Sequence, residues 1–216
     1  MRYRREDLVA RALLVLDDYG LADLTMRRLG TELGIQPSAV YHHVANKQVL
    51  LAAVADEILA RGARPLPDAG WEEQARSSCH VLRDACLAWR DGAEVVATAR
   101  AFGLGGRAPY DELVGVLARG VGDDELAATA ARTLLHYVLG HAMDEQLQRQ
   151  AGSAGAALAP SAGDPRHDHT ADVTTGIDLV LAGLRARVPA ASTAPPCATP
   201  PSTRPTCAAP PSTGST

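Results

Sequence analysis

Residues 24–44 constrain the fold of this chain more than any other segment. Apolar residues recur at helical spacing on both sides of Gly34, and they are Leu29, Leu33, Ile35, Val40 and Val44. Because glycine adopts a positive φ readily, the chain can turn sharply at this position. The pattern predicts a helix-turn-helix, in which two short helices share a small apolar core.

The residues at the expected helix ends support this prediction. Thr25 is a suitable N-cap for the first helix, and Pro37 suits the first turn of the second because its missing N–H would have no partner there. The second helix then directs a polar and aromatic surface outward, formed by Gln36, Ser38, Tyr41, His42 and His43. Such a surface fits a DNA major groove. The pattern alone leaves open an ordinary helical hairpin with two surface histidines.

Apolar periodicity predicts further helices on both sides of this segment. One is expected to end at Gly20 with an αL residue, and Asn46 is expected to cap another. Longer ones are expected over 72–90, 110–119, 124–150 and 170–187. Only 4% of the residues are aromatic, and no segment has a clear strand pattern. The expected fold class is therefore all-α.

Length, cysteine content and charge exclude several classes of protein. Four cysteines in 216 residues do not make a disulfide scaffold, and no apolar run approaches the roughly 18–20 residues that cross a bilayer. We therefore expect a cytoplasmic protein that does not enter the membrane. Residues 1–64 carry nine basic against eight acidic side chains, a net +1, whereas the whole chain has a net charge of −4. A negatively charged partner would therefore be attracted to residues 1–64 and not to the rest of the chain.

The segment Leu24–Leu59 closely resembles the DNA-binding domain of the TetR (tetracycline repressor) family. The similarity lies in the runs Leu-Thr-Met-Arg-Arg-Leu, Leu-Gly-Ile, Val-Tyr-His-His-Val and Asn-Lys-Gln-Val-Leu-Leu. Shorter runs that begin at Trp89, Val138 and Gly176 resemble the C-terminal regulatory domain of the tetracycline repressor subgroup. The resemblance extends over most of residues 5–187 and leaves the C-terminal tail unmatched.

The resemblance implies contacts with double-stranded DNA. The positions that match base-reading residues of the family are Arg27, Gln36, Pro37, Ala39 and His42. Those that match phosphate-contacting residues are Tyr41, His43 and Lys47, with Thr25 as a further candidate. Pro37 and Ala39 cannot donate side-chain hydrogen bonds, so the operator sequence is expected to differ from that of the tetracycline repressor.

The resemblance also implies a homodimer that binds a palindromic operator. The helices over about 124–150 and 170–187 resemble the pair that forms the dimer interface in the family. The apolar stripe expected at this interface consists of Leu134, Leu135, Val138, Leu139, Ile177, Val180, Leu181 and Leu184. The alternative, that these stripes face the core of the monomer, stays open.

A pocket for a small-molecule effector is a further implication. Ser78, Leu82, Val96, Arg100 and Asp144 occupy family pocket positions, and the rest of the expected lining is Phe102, Leu104, Leu113, Leu117 and His136. Ala63 and Val96 stand where the tetracycline repressor has histidines, which argues against a magnesium chelate as ligand. No cofactor and no bound metal are expected.

Two other groups of reactive side chains are interpreted as structural. Cys79 and Cys86 lie on one face of a helix and are expected to pack as small apolar residues. The run His167-Asp168-His169 is more typical of a solvated loop than of a metal site. No fingerprint of an enzyme is present in the sequence.

The chain is therefore expected to be a two-part repressor. Residues 1–46 form the DNA-binding domain, 47–64 a linking helix, 65–188 the ligand-binding and dimerisation domain, and 189–216 a disordered tail of Pro, Ala, Ser and Thr. A regulator controlled by a protein partner is one alternative. A helical-bundle enzyme is another, although the Glu-x-x-His pairs that it would need are missing.

Overall fold

The structure, a computed structural model, describes residues 3–153 and 168–188. Within these ranges the chain forms nine α-helices and no β-strand, which confirms the expected all-α fold. The helices are α1 (Arg5–Tyr19), α2 (Met26–Leu33), α3 (Pro37–Tyr41), α4 (Lys47–Gly62), α5 (Trp71–Leu87), α6 (Gly92–Ala101), α7 (Ala108–Val121), α8 (Asp124–Ser153) and α9 (His169–Arg185). The expected tail, 189–216, lies outside the described residues. None of the helices in these ranges is both long and apolar enough to cross a membrane.

The helix ends agree with most of the capping predictions. The Thr25 hydroxyl oxygen accepts a hydrogen bond from the Arg28 N–H at 3.1 Å, and the Asn46 side chain accepts one from the Val49 N–H at 2.9 Å. Gly34 follows α2 in the left-handed conformation, with φ 66° and ψ 29°. Gly20 also has a positive φ of 83°, but its ψ of 173° continues the chain in an extended direction instead of the expected αL turn.

Helix α6 is not among the helices that the sequence predicts. It begins with Gly92 and contains the β-branched pair Val95-Val96, and both features lower intrinsic helix propensity. Its N-terminus also has no side-chain cap. Packing against α4, α5 and α8 stabilises it, so tertiary contacts override the weak local signal.

Helix α4 connects the first three helices with the rest of the chain. It packs against α1 on one side and against α5, α6 and α7 on the other. Leu50, Val54 and Ile58 are fully buried along it. At its C-terminal end, a Cβ atom on Gly62 would lie 2.3 Å from the Cβ of Ala85, so α4 and α5 approach too closely for any side chain there.

The stripe expected to form the dimer interface is part of the chain's own core. Val180 is half-buried. The other seven residues are at most 5% exposed, and they are Leu134, Leu135, Val138, Leu139, Ile177, Leu181 and Leu184. The reason is that α8 packs on α5, α6, α7 and α9 of the same chain. These side chains are therefore not available to a partner subunit.

Asp91 joins the first helices to the body of the molecule. Its carboxylate accepts a hydrogen bond from the Leu21 N–H at 2.7 Å and another from the side-chain amide of Gln150 in α8. A Cβ atom on Gly20 would lie 2.9 Å from this carboxylate, so the glycine leaves room for it. Asp91 has a φ of 55°, a conformation that is unfavourable for residues other than glycine.

We expect Asp91→Ala to lower the free energy of unfolding by about 2–3 kcal/mol, because it removes charge-assisted hydrogen bonds and keeps the positive φ. Asp91→Gly loses the same hydrogen bonds, but glycine adopts the positive φ without steric strain. This variant should therefore be more stable than the alanine variant by about 1 kcal/mol. Urea unfolding at one fixed protein concentration measures both changes. Asp18→Ala, at an exposed site on α1, is the control and should change little. Equal stability of the alanine and glycine variants would contradict the proposed backbone contribution.

Candidate nucleic-acid interface and ligand cavity

The turn between α2 and α3 depends on two glycines. The Gly30 carbonyl accepts a hydrogen bond from the Ile35 N–H at 2.9 Å, which closes the turn. A Cβ atom on Gly30 would lie 3.0 Å from the Ile35 carbonyl oxygen and 3.3 Å from the Pro37 nitrogen. Gly34 supplies the left-handed residue between the helices. A side chain at position 30 would therefore press against the backbone of the turn, and Gly34 is needed for its positive φ.

The inner side of the α2–α3 unit is apolar, as the sequence predicts. Leu29, Leu33, Val40 and Val44 are buried and Ile35 is half-buried against the same core. This packing fixes the orientation of α3, because only one side of so short a helix can face inward. The opposite side of α3 is left for solvent or a partner.

The residues predicted to contact DNA lie together at the surface of α2, α3 and the first turn of α4. Seven are exposed, namely Thr25, Arg27, Gln36, Ser38, Tyr41, His42 and His43. Pro37, Ala39 and Lys47 are half-buried. The Thr25 hydroxyl accepts the capping hydrogen bond but keeps its own hydrogen for an outside acceptor. The surface thus offers two cationic side chains, several neutral donors and an aromatic ring.

Two residues next to this surface hold α2 in place through contacts that the sequence does not predict. The Arg28 guanidinium lies over the Tyr19 ring, 3.5 Å from its centroid, so this arginine joins α2 to α1 while Arg27 points to solvent. The Tyr3 hydroxyl donates a hydrogen bond to the Leu33 carbonyl at 2.9 Å. This bond holds Tyr3 against the end of α2, and a tyrosine among arginines was the only signal for it.

A cavity of about 280 Å³ lies between α4, α5 and α7, and we call it the α4–α5–α7 cavity. Its apolar wall consists of Leu59, Ala60, Ala63, Val81, Leu82, Ala85, Ala108 and Pro109. Its polar wall consists of Asp56, Arg64, Ser78 and Glu112. The volume is close to the lower limit of typical small-molecule sites, about 300 Å³.

Hydrogen bonds hold the polar wall in place. The buried Ser78 hydroxyl donates to the Glu112 carboxylate at 2.6 Å. Asp56 accepts a hydrogen bond from the Gly106 N–H at 2.7 Å, which connects α4 to the glycine-rich loop between α6 and α7. The Arg64 guanidinium lies 3.6 Å from the carboxylate of Asp84, a residue that is not part of the cavity wall. Sequence reasoning missed Asp56, Arg64 and Glu112, since a charged residue gives no local sign that it faces a cavity.

Only two of the residues predicted to bind an effector, Ser78 and Leu82, line this cavity. Val96, Leu113 and Leu117 are fully buried in the core instead, because α6 and α7 turn these side chains toward neighbouring helices. Phe102 and Leu104 are 59% and 50% exposed between α6 and α7. Asp144 is exposed on α8. The sequence could not separate these environments, since apolar side chains in core and pocket follow the same periodicity.

Arg100 and His136 lie on a second cleft, of about 330 Å³, between α6 and α8. The Arg100 guanidinium donates a hydrogen bond to the Gly106 carbonyl at 2.9 Å, and it lies 5.6 Å from the centroid of the Tyr110 ring. Burial lowers the pKa of Arg100, and the nearby charge of Arg107 lowers it further. This arginine therefore supports the same loop that contacts Asp56.

The cysteines and the C-terminal histidine cluster have structural contacts. Burial raises the pKa of Cys79 and of Cys86 to about 12, so both thiols are protonated at neutral pH. Asp168 caps α9 by accepting hydrogen bonds from two backbone N–H groups, and the His169 ring lies 5.9 Å from that of His141. His167 lies outside the described residues.

The sequence matches two family profiles along its length. Residues 8–54 match the bacterial regulatory proteins of the tetR family, and residues 64–168 match the tetracyclin repressor-like C-terminal domain. The class E tetracycline repressor of Escherichia coli is 31% identical over 156 residues, which cover 69% of this chain and 72% of that protein. The chain belongs to the TetR family.

Other members of the family are similar over shorter or longer parts of the chain. The class D tetracycline repressor of Escherichia coli is 43% identical over 97 residues, so the match spans less than half, 44%, of that relative. The crystal structure of Mycobacterium smegmatis BioQ has a TM-score of 0.78 and 40% identity, and covers 86% of this chain and 99% of BioQ. A structure of BioQ with its natural double-stranded DNA operator gives a TM-score of 0.72 and 39% identity, with the same coverage.

Proposed function

We propose that this chain is a DNA-binding transcriptional regulator, and that it acts as a homodimeric repressor which a small molecule releases from an inverted-repeat operator. The exposed outer side of α3, held by the buried Val40 and Val44, is the observation that carries the proposal. The similarity to BioQ, a protein whose structure contains its DNA operator, supports it. The proposed role is regulatory and not enzymatic.

The ten surface residues divide by chemistry into two kinds of DNA contact. Arg27, Gln36 and His42 can form hydrogen bonds with base edges, while Pro37 and Ala39 can only make apolar contacts. Tyr41, His43, Lys47 and Thr25 can donate to phosphate oxygens. Ser38, exposed between them, can donate to either. Lys47 stands at the N-terminus of α4, where backbone N–H groups also favour an anion.

We assign the parts of the chain accordingly. Residues 1–46 bind DNA, 47–64 form the link, and 65–188 bind the effector and the second subunit. The family profiles over 8–54 and 64–168 support this division. The link is a single continuous helix, α4, whose first residue is Lys47 and whose last turns line the α4–α5–α7 cavity. A ligand in the cavity would therefore contact the helix that carries the DNA-binding unit, and could shift its population between two positions.

The second subunit would bind at the outer sides of α8 and α9. Their exposed residues recur at helical spacing, and in α9 they include Thr175, Leu179, Ala182 and Gly183. Leu179 is 71% exposed, and Leu147 of α8 is 59% exposed. A Cβ atom on Gly140 or Gly183 would meet nothing within 4 Å in this chain. Small residues beside exposed leucines are suited to close packing of a partner helix.

Selection of bound fragments from random DNA tests the proposed function. Wild-type protein should enrich a palindrome whose half-sites are about 34–36 Å apart. Arg27→Ala should lose about 1–3 kcal/mol of preference at one position of each half-site if this side chain reads a guanine. Absence of any enriched palindrome over bulk competitor DNA would contradict the proposed function.

Lys47→Ala tests the phosphate contact by its salt dependence. Each lost contact reduces the slope of log K against log salt by about 0.9, so a dimer should lose about two units of slope. All DNA sequences should be weakened alike. Arg119→Ala removes one exposed positive charge at the end of α7 and is the control, for which we expect an unchanged slope. An unchanged slope in the Lys47 variant would contradict the assigned role.

Leu179→Asp tests the dimer surface. A carboxylate at this position would have to be desolvated in a packed interface, so the variant should dissociate to monomers at micromolar concentration. Analytical ultracentrifugation measures the change, and operator affinity should fall because the two half-sites become independent. Leu14→Asp introduces the same charge at an exposed leucine of α1 and should remain a dimer. A dimeric Leu179 variant would place the interface elsewhere.

A further inference from the structure

The charged groups on the wall of the α4–α5–α7 cavity are mainly acceptors of hydrogen bonds. Asp56 and Glu112 contribute two carboxylates, whereas Arg64 contributes the one guanidinium among the lining residues. Two negative charges against one positive charge leave the wall with a net charge of −1. The apolar wall provides no donor to balance it, since its side chains are aliphatic.

Existing hydrogen bonds leave the polar wall with acceptors that a ligand can use. The Ser78 hydrogen is used by Glu112, so the hydroxyl offers only its lone pairs to the cavity. One oxygen of Asp56 accepts the Gly106 N–H. The second oxygen of each carboxylate receives no hydrogen bond from the described residues. Because both residues are exposed, a bound molecule that carries donors would replace water at these oxygens.

Arg64 does not make the cavity suitable for an anion. Its guanidinium lies 3.6 Å from Asp84, and its side chain is 64% exposed. The carboxylate of Asp84 already opposes this positive charge, and solvent screens what remains. Asp56 and Glu112 are exposed residues too, but neither forms an ion pair among the described residues, so an anionic ligand would meet two carboxylates without a cationic partner.

We propose that the α4–α5–α7 cavity binds a small organic cation, with an apolar skeleton and one protonated amine that Asp56 and Glu112 accept. This inference rests on the proposed function for its regulatory meaning, although binding itself needs no DNA. The volume of about 280 Å³ admits a bicyclic aromatic amine or an aliphatic amine of similar size. An amine at Asp56 touches α4 directly, because this residue lies on that helix.

Three probes that share one skeleton test the proposed charge preference. Naphthylethylamine, naphthylethanol and naphthylacetate are titrated separately into the full-length protein without DNA at neutral pH, by isothermal titration calorimetry. The amine should bind at least about tenfold more tightly than the alcohol, and the carboxylate should bind more weakly than either. Higher salt should weaken the amine more than the alcohol.

Glu112→Gln isolates the contribution of charge. The amide keeps the size of the side chain and an oxygen that can accept from Ser78, but it loses the carboxylate. The amine should bind about tenfold more weakly to this variant and to Asp56→Asn, while the alcohol should change less than about twofold. Asp111→Asn, at an exposed neighbouring carboxylate that faces Arg107 and not the cavity, should bind the amine as wild type does.

The outcomes separate this inference from the proposed function. Equal binding of the three probes, tighter binding of the carboxylate, no binding of the amine, or unchanged amine affinity in both cavity variants would overturn it, even if the protein selects a palindrome. Selective amine binding that both cavity variants weaken would support it, even if no palindrome is selected.

Discussion

The packing of α4 on two sides is the constraint on which the rest of the structure depends. It contacts α1 as well as α5, α6 and α7, and Leu50, Val54 and Ile58 are fully buried along it. Gly62 brings its last turn against Ala85. Because protein interiors are close-packed, α4 cannot shift against one side without repacking the other. The contact with α1 and the shape of the cavity therefore depend on the same helix.

Two polar connections reinforce this arrangement at the two ends of α6. Asp91, directly before α6, bonds to Leu21 and to α8. Gly106, in the loop after α6, bonds to Asp56 on α4. Helix α6, which the sequence does not predict, thus lies between these two hydrogen-bonded connections.

Features with local causes could be predicted from the sequence, and features with tertiary causes could not. The ends of these helices are marked by residues that act within a few positions of their own, namely Thr25, Gly34, Pro37 and Asn46. The cavity wall instead joins residues from three helices. Nothing near Glu112 indicates that it will face Ser78, and the stripes on α8 and α9 would have the same spacing at a dimer interface as in the core that they form.

Lys47 has a further chemical consequence. It is the only lysine in the chain, and all its other permanently cationic side chains are arginines. Acylation of side-chain amines therefore has a single target, at the first residue of the helix that joins the two parts of the molecule. One such modification would neutralise a charge beside the surface formed by α3 and leave every other cationic side chain as it was. Acylation of side-chain amines would therefore remove one positive charge at a single, known position of the chain.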